Sequence, residues 1–271
     1  MAVGRMSAPI AVGAVIVVIA VMWDVATSGR RAPAPPPAAA SPDSTPVRPA
    51  AIPPPPPAAP VDSISSGGTS DPDRGGGYLD QLARAENRRR IRASAGITYL
   101  NEIVAASGDS MLHRWDDRYS RPVRVWLAPG TAANYQPAFL DAIRTAFARW
   151  EGTGVPVRFD VDADSSLAEV RIKWKVQFDI DRTAQTDLQW NEDGELQSGV
   201  ITFATFDPKG RPLDPDDIRV IALHEIGHLL GLDHSPDSTD VMYPTTKTRD
   251  LSSRDIQTAL LLYQLPAGSL K

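Results

Sequence analysis

The chain contains no cysteine. That absence excludes disulfide frameworks, thiolate-ligated metal, iron–sulfur clusters and thiol catalysis. It also excludes any latency device in which a cysteine caps a metal. Basic residues are outnumbered, 28 against 33 acidic, and the formal charge is −5. A chain-wide basic footprint for nucleic acid is therefore missing, and no nucleic-acid partner is expected. Histidine is scarce. There are four, and three of them fall within residues 224–234.

What is present divides by composition. Residues 8–23 carry no charge and are rich in Val, Ile and Ala, with Arg5 before them and Asp24 after. About 20 apolar residues span a bilayer comfortably and ~17 is near the lower limit, so this segment fits a signal peptide or a short signal anchor. Membrane association through residues 1–28 is expected, with the rest of the chain outside the cytoplasm. Cleavage near Ala26-Thr27-Ser28 would make the protein secreted instead. Residues 29–77 read as a Pro/Ala/Ser/Gly-rich disordered linker. In 32–60, 13 of 29 residues are proline, which favours extended polyproline II. Residues 78–110 have Ala, Leu, Glu and Arg at helical density, broken by Gly96. Their arginine cluster reads as a solvated helix face.

From about Met111 to Pro266 the patterns are those of one mixed domain of strands and helices. Val123, Val125 and Leu127 alternate with Arg124 and Trp126, and Val170, Ile172 and Trp174 alternate with lysines and an arginine. Phe139, Ile143, Phe147 and Trp150 share one helical stripe, and Gly152 offers a stop. Residues 199–206 read as another strand. A helix then opens with Asp214 as N-cap, Pro215 at the first position and Asp216 and Asp217 at the positive end of the dipole. Gly231 is placed to end it. A last helix begins near Ser252 and stops before Pro266.

The capped helix carries His224-Glu225-Ile226-Gly227-His228. Histidines at i and i+4 project from one side of a helix and can share one Zn²⁺. Glu225, beside the first of them, can face the same ion as a base rather than a ligand. Gly231 can take a positive φ, turn the chain and bring His234 back to the pair. Three neutral imidazoles leave a tetrahedral zinc ion one open position, the arrangement of catalytic rather than structural sites.

The string HEIGHLLGLDHS from His224 resembles the zinc signature of the matrixins, a metzincin metallopeptidase family. Val241-Met242-Tyr243-Pro244 resembles the matrixin Met-turn, and residues 251–256 resemble the start of the family's last helix. The resemblance implies an α+β, zincin-like fold: a twisted mixed sheet with an active-site helix, a Met-turn and a C-terminal helix. It implies one catalytic zinc held by His224, His228 and His234, and Glu225 as general base. Met242 would lie beneath the metal, and Tyr243 and Pro244 would help wall the pocket for the residue after the scissile bond. Residues 199–203 would be the edge strand on which an extended protein or peptide substrate adds. Asp255 would bond the Met-turn or serve as a helix-start charge. Calcium is an open expectation among Asp160, Asp162, Asp164, Asp179 and Asp181. The activity implied is that of a monomeric zinc endopeptidase using a metal-activated water. The competing reading is a non-catalytic cell-surface binding module on the same scaffold, against which the intact Glu225 argues.

Overall fold

The computed structural model describes residues 72–107 and 110–270. The expected signal or anchor segment and most of the linker lie outside them. Among the described residues no helix is long and apolar enough to cross a membrane.

Two helices, α1 (Pro72–Ala93) and α2 (Leu100–Ala106), precede a short strand β1 (Met111–Leu112) and a long one, β2 (Arg118–Leu127). Helix α3 (Ala138–Glu151) follows, then strands β3 (Val157–Asp160), β4 (Val170–Lys175), β5 (Ala184–Trp190) and β6 (Leu196–Ala204). Helix α4 (Pro215–Leu229), helix α5 (Ser253–Gln264) and strand β7 (Gly268–Ser269) complete the order. Five strands form one sheet in the order β3-β2-β4-β6-β5, parallel except for β5. β1 and β7 pair antiparallel apart from it.

The period-2 patterns explain which face is covered. Val123, Val125, Val170, Ile172, Ile201 and Phe203 are buried, while Arg124, Lys173 and Lys175 stay exposed. The buried face meets α4, which packs on β5 and β6 and against α3. Trp150, on the apolar stripe of α3, donates its indole N–H to the Leu223 carbonyl of α4 at 2.8 Å. Because α4 is covered on both sides, it is buried almost throughout its length, Asp217 and Glu225 included, while Asp216 stays exposed.

Two differences from the sequence reading matter. Residues 199–203 are not at an edge. β6 runs between β4 and β5, and β5 is the edge strand. The turn at 191–194, with Gly194 at φ +80°, folds β5 back along β6 from Trp190↔Leu196 to Ala184↔Phe203 and so covers the edge that β6 would have shown. The second concerns residues 78–110: α1 already begins at Pro72, inside the expected linker, and α1 and α2 together span most of the segment with Gly96 at φ +85° between them. Their basic surface is only partly solvated. Arg88 bonds the Leu270 carbonyl and Arg90 bonds Gln264, while Ile91, Tyr99, Leu100 and Ile103 belong to the main core. The core therefore reaches well upstream of Met111.

Candidate metal centre

The helix that carries the site begins as the sequence reading expects. The Asp214 carboxylate accepts from the Asp217 N–H at 2.8 Å, and Asp217 accepts from the Asp214 N–H, closing a capping box ahead of Pro215. Its end is equally defined. Gly231 has φ +98°, its N–H bonds the His228 carbonyl at 2.8 Å, and the Leu232 N–H bonds the Gly227 carbonyl at 3.0 Å. This is the paired hydrogen-bond arrangement of a glycine-terminated helix. The last carbonyls of a helix lack partners within it. Here the Trp115 indole N–H satisfies Leu229 at 2.8 Å and the Tyr263 hydroxyl satisfies Leu230 at 3.0 Å. No side chain larger than hydrogen fits at 231, because a Cβ there would stand 1.9 Å from the His113 carbonyl oxygen.

The turn brings the three histidines together. Their ring centroids lie 4.7, 5.0 and 5.3 Å apart, and one ligating atom from each falls within 4.8 Å of the others. His224 and His228 are fully buried. His224 Nδ1 donates to the Val241 carbonyl at 2.7 Å and His228 Nδ1 to the Leu232 carbonyl at 2.8 Å. With the proton of each ring spent on a carbonyl, both Nε2 atoms are bare, and they face one another at 3.0 Å. The His234 Nε2 is buried and has no protein partner. Burial drives the His224 pKa down to about 3 and that of His228 well below its usual value, outweighing the opposing pull of the Val241 and Leu232 carbonyls, so both rings are held neutral. Two bare nitrogens at 3.0 Å and a third orphaned beside them suit a cation, and three neutral imidazoles are the donor set of a catalytic zinc site. The residues present fit the metal.

Glu225 is fully buried, between the two helical histidines in sequence. Its Oε2 accepts from the Thr186 hydroxyl of β5 at 2.5 Å, while Oε1 has no partner. Burial pushes its pKa up to about 8, against the pull of Thr186 and Arg182.

The Met-turn is fastened on every side. The Ser235 N–H donates to the Met242 carbonyl at 2.9 Å, directly after His234. The Val241 carbonyl accepts from Thr246 as well as from His224. The Val241 N–H donates to Asp255 at 2.8 Å. The Met242 side chain lies against Gly227, where a Cβ would come within 2.2 Å of its sulfur. Tyr243 and Pro244 follow it and are partly exposed. Asp255 fills both of its expected places at once, since it also closes the Ser252 capping box at the start of α5. It also accepts from Tyr99, whose hydroxyl donates to it at 3.0 Å. Burial and the nearby Asp255 carboxyl hold that phenol well above its usual pKa, so the hydroxyl keeps its proton.

The candidate calcium carboxylates do not assemble. Asp162 pairs with Arg144, Asp164 bonds Ser166, and among the described residues the three histidines form the one grouping of three or more close acidic, cysteine or histidine ligands.

The sequence pattern of the matrixins matches residues 126–264. The chain belongs to the matrixin family. This matrixin is 32% identical over 133 residues to metalloendoproteinase 1-MMP of Arabidopsis thaliana, a match covering 44% of this chain and 36% of the relative. Karilysin of Tannerella forsythia is 30% identical over 145 residues, 46% of this chain and 29% of karilysin. Matrix metalloproteinase-C of Caenorhabditis elegans is 25% identical over 220 residues, 71% of this chain and 35% of that protein. The matrixin thus spans roughly a third of the length of these relatives.

Sequence reading missed Thr186, Thr246 and the β5 strand itself. A signal for β5 existed: Ala184, Thr186, Leu188 and Trp190 alternate with Gln185, Asp187 and Gln189.

Proposed function

We propose that this matrixin is a zinc-dependent endopeptidase. The observation that carries the reading is the convergence of three histidine rings, with Glu225, next to His224 in sequence, buried and one of its oxygens without a partner. His224, His228 and His234 would hold the metal, each ring kept in its ligating tautomer or position by the backbone around the Gly231 turn and the Met-turn. A zinc ion held there supplies Lewis acidity toward a carbonyl oxygen and makes bound water nucleophilic near neutral pH.

The remaining work falls to the chain. Glu225 would take a proton on Oε1 from the attacking water and return it to the leaving amine, a general base and then a general acid. Met242 would floor the histidine cluster from beneath α4, and Tyr243 and Pro244 would wall a pocket for one substrate side chain. The free edge of β5 offers backbone groups to an extended peptide, which adds as a sixth strand. The apolar residues 8–23 would deliver this activity outside the cytoplasm, anchored or secreted.

Casein zymography of the purified full chain tests the reading. Clearing that disappears with a chelator, returns with zinc and is lost in Glu225→Gln supports it. An inactive wild type, shown to carry one zinc per chain, would overturn it in favour of a binding role.

A further inference from the structure

We propose that Thr186 is a positioning residue that aims the Glu225 carboxyl. The inference rests on the reading of Glu225 as the base and names how this chain orients it.

Thr186 and Glu225 sit on different elements, β5 and α4, and both are buried, at 1% and 0% exposure. The Thr186 hydroxyl lies 2.5 Å from Glu225 Oε2 and 3.3 Å from the Glu225 backbone carbonyl. A hydroxyl has one proton to donate. The shorter contact takes it, and the carbonyl is already engaged within the helix. Oε2 is therefore tied down, and Oε1 is the oxygen left without a partner. A carboxyl group turns easily about its last bond, since that torsion is broad and nearly two-fold. Without a tether the two oxygens exchange places. With it, one oxygen is fixed and the other is kept free for a proton.

The tether is stiff at its own end. Thr186 is held opposite Ile201 in the β5–β6 ladder, and its β-branched side chain has few rotamers. Ala184 is buried on the same side of the strand, which places that side against α4. The carboxyl is thus aimed by the edge strand, the element that an extended substrate would join.

The test compares Thr186→Val, Thr186→Ser and Glu225→Gln in the full-length, zinc-loaded protein, with kcat and KM on one peptide, zinc content and thermal stability. Valine matches the shape of threonine but leaves buried Oε2 without a donor, and serine keeps the donor. We expect Thr186→Val to lose kcat by about tenfold or more with KM and zinc content unchanged. Thr186→Ser should keep most of kcat. If Thr186→Val does not fold, Thr186→Ala is read in the same way. Wild-type kcat in Thr186→Val beside an inactive Glu225→Gln would overturn this inference alone. Equal losses in Val and Ser would overturn it too, because packing rather than the proton would then matter. Full activity in Glu225→Gln would overturn both this inference and the reading of Glu225.

Discussion

Replacing Gly231 with alanine should do more damage than any ordinary glycine substitution in this chain. Two costs add at that position. A residue with a side chain at φ +98° pays for a left-handed conformation, roughly 1–2 kcal/mol. Its Cβ would also stand 1.9 Å from the His113 carbonyl oxygen. An ordinary carbon–oxygen approach is about 3.3–3.6 Å, so one of the two backbones must retreat by about 1.5 Å. His113 cannot do so freely, since two residues later Trp115 caps the Leu229 carbonyl at the end of α4. Overpacking of this kind costs typically ~1–3 kcal/mol. The total is about 2–5 kcal/mol, against a stability of about 5–15 kcal/mol for a whole domain. Gly154→Ala isolates the first cost, because Gly154 has φ +88° and a Cβ there would meet nothing within 4 Å. Urea unfolding of both metal-free variants should place Gly154→Ala about 1 kcal/mol below wild type and Gly231→Ala well below that. Zinc titration should show weaker binding only for Gly231→Ala, since Leu232 orients His228 and His234 follows the same turn. Equal destabilisation of the two variants, with zinc affinity intact in both, would refute the steric argument.

Further outcomes can be checked with simple assays. His228→Ala should drop the zinc content below one per chain by elemental analysis. Trp150→Phe removes the N–H that reaches Leu223, one residue before His224, and should cost about 1–2 kcal/mol in urea unfolding. Asp255→Ala strips the acceptor from the Val241 and Ser252 N–H groups and from Tyr99, and should cost about 3 kcal/mol or more. A chain shortened to begin at Met111 removes Tyr99, Leu100 and Ile103 from the core and should melt well below the full chain by circular dichroism.

The legible parts of the sequence were those whose physics is local. Asp214, Pro215 and Gly231 each act within one turn of α4, so both ends of that helix could be read directly. The i, i+4, i+10 histidines needed only helix geometry and one glycine. The edge strand was misplaced because no residue in 199–203 states which strands will flank it. That depended on the hairpin through Gly194, and its β5 arm, with Gln185, Thr186, Asp187 and Gln189 among its seven residues, is polar enough to pass for a loop. Thr186 was invisible for the same reason. A threonine in a strand is unremarkable until the strand is laid on α4. Tyr99 lay in a segment whose arginines suggested a solvated helix, and its partner stands 156 positions away.

Three hydrogen bonds lead from Tyr99 to a candidate metal ligand: Tyr99 to Asp255, Asp255 to the Val241 N–H, and the Val241 carbonyl to His224. Tyr99 precedes the matrixin match, which starts at residue 126. A backbone cut between α2 and β1 would spare every residue of the metal site. It would nevertheless free one end of the segment that holds Tyr99, and with it the buried donor that Asp255 needs. Injury there would register as looser metal binding, with no site residue changed.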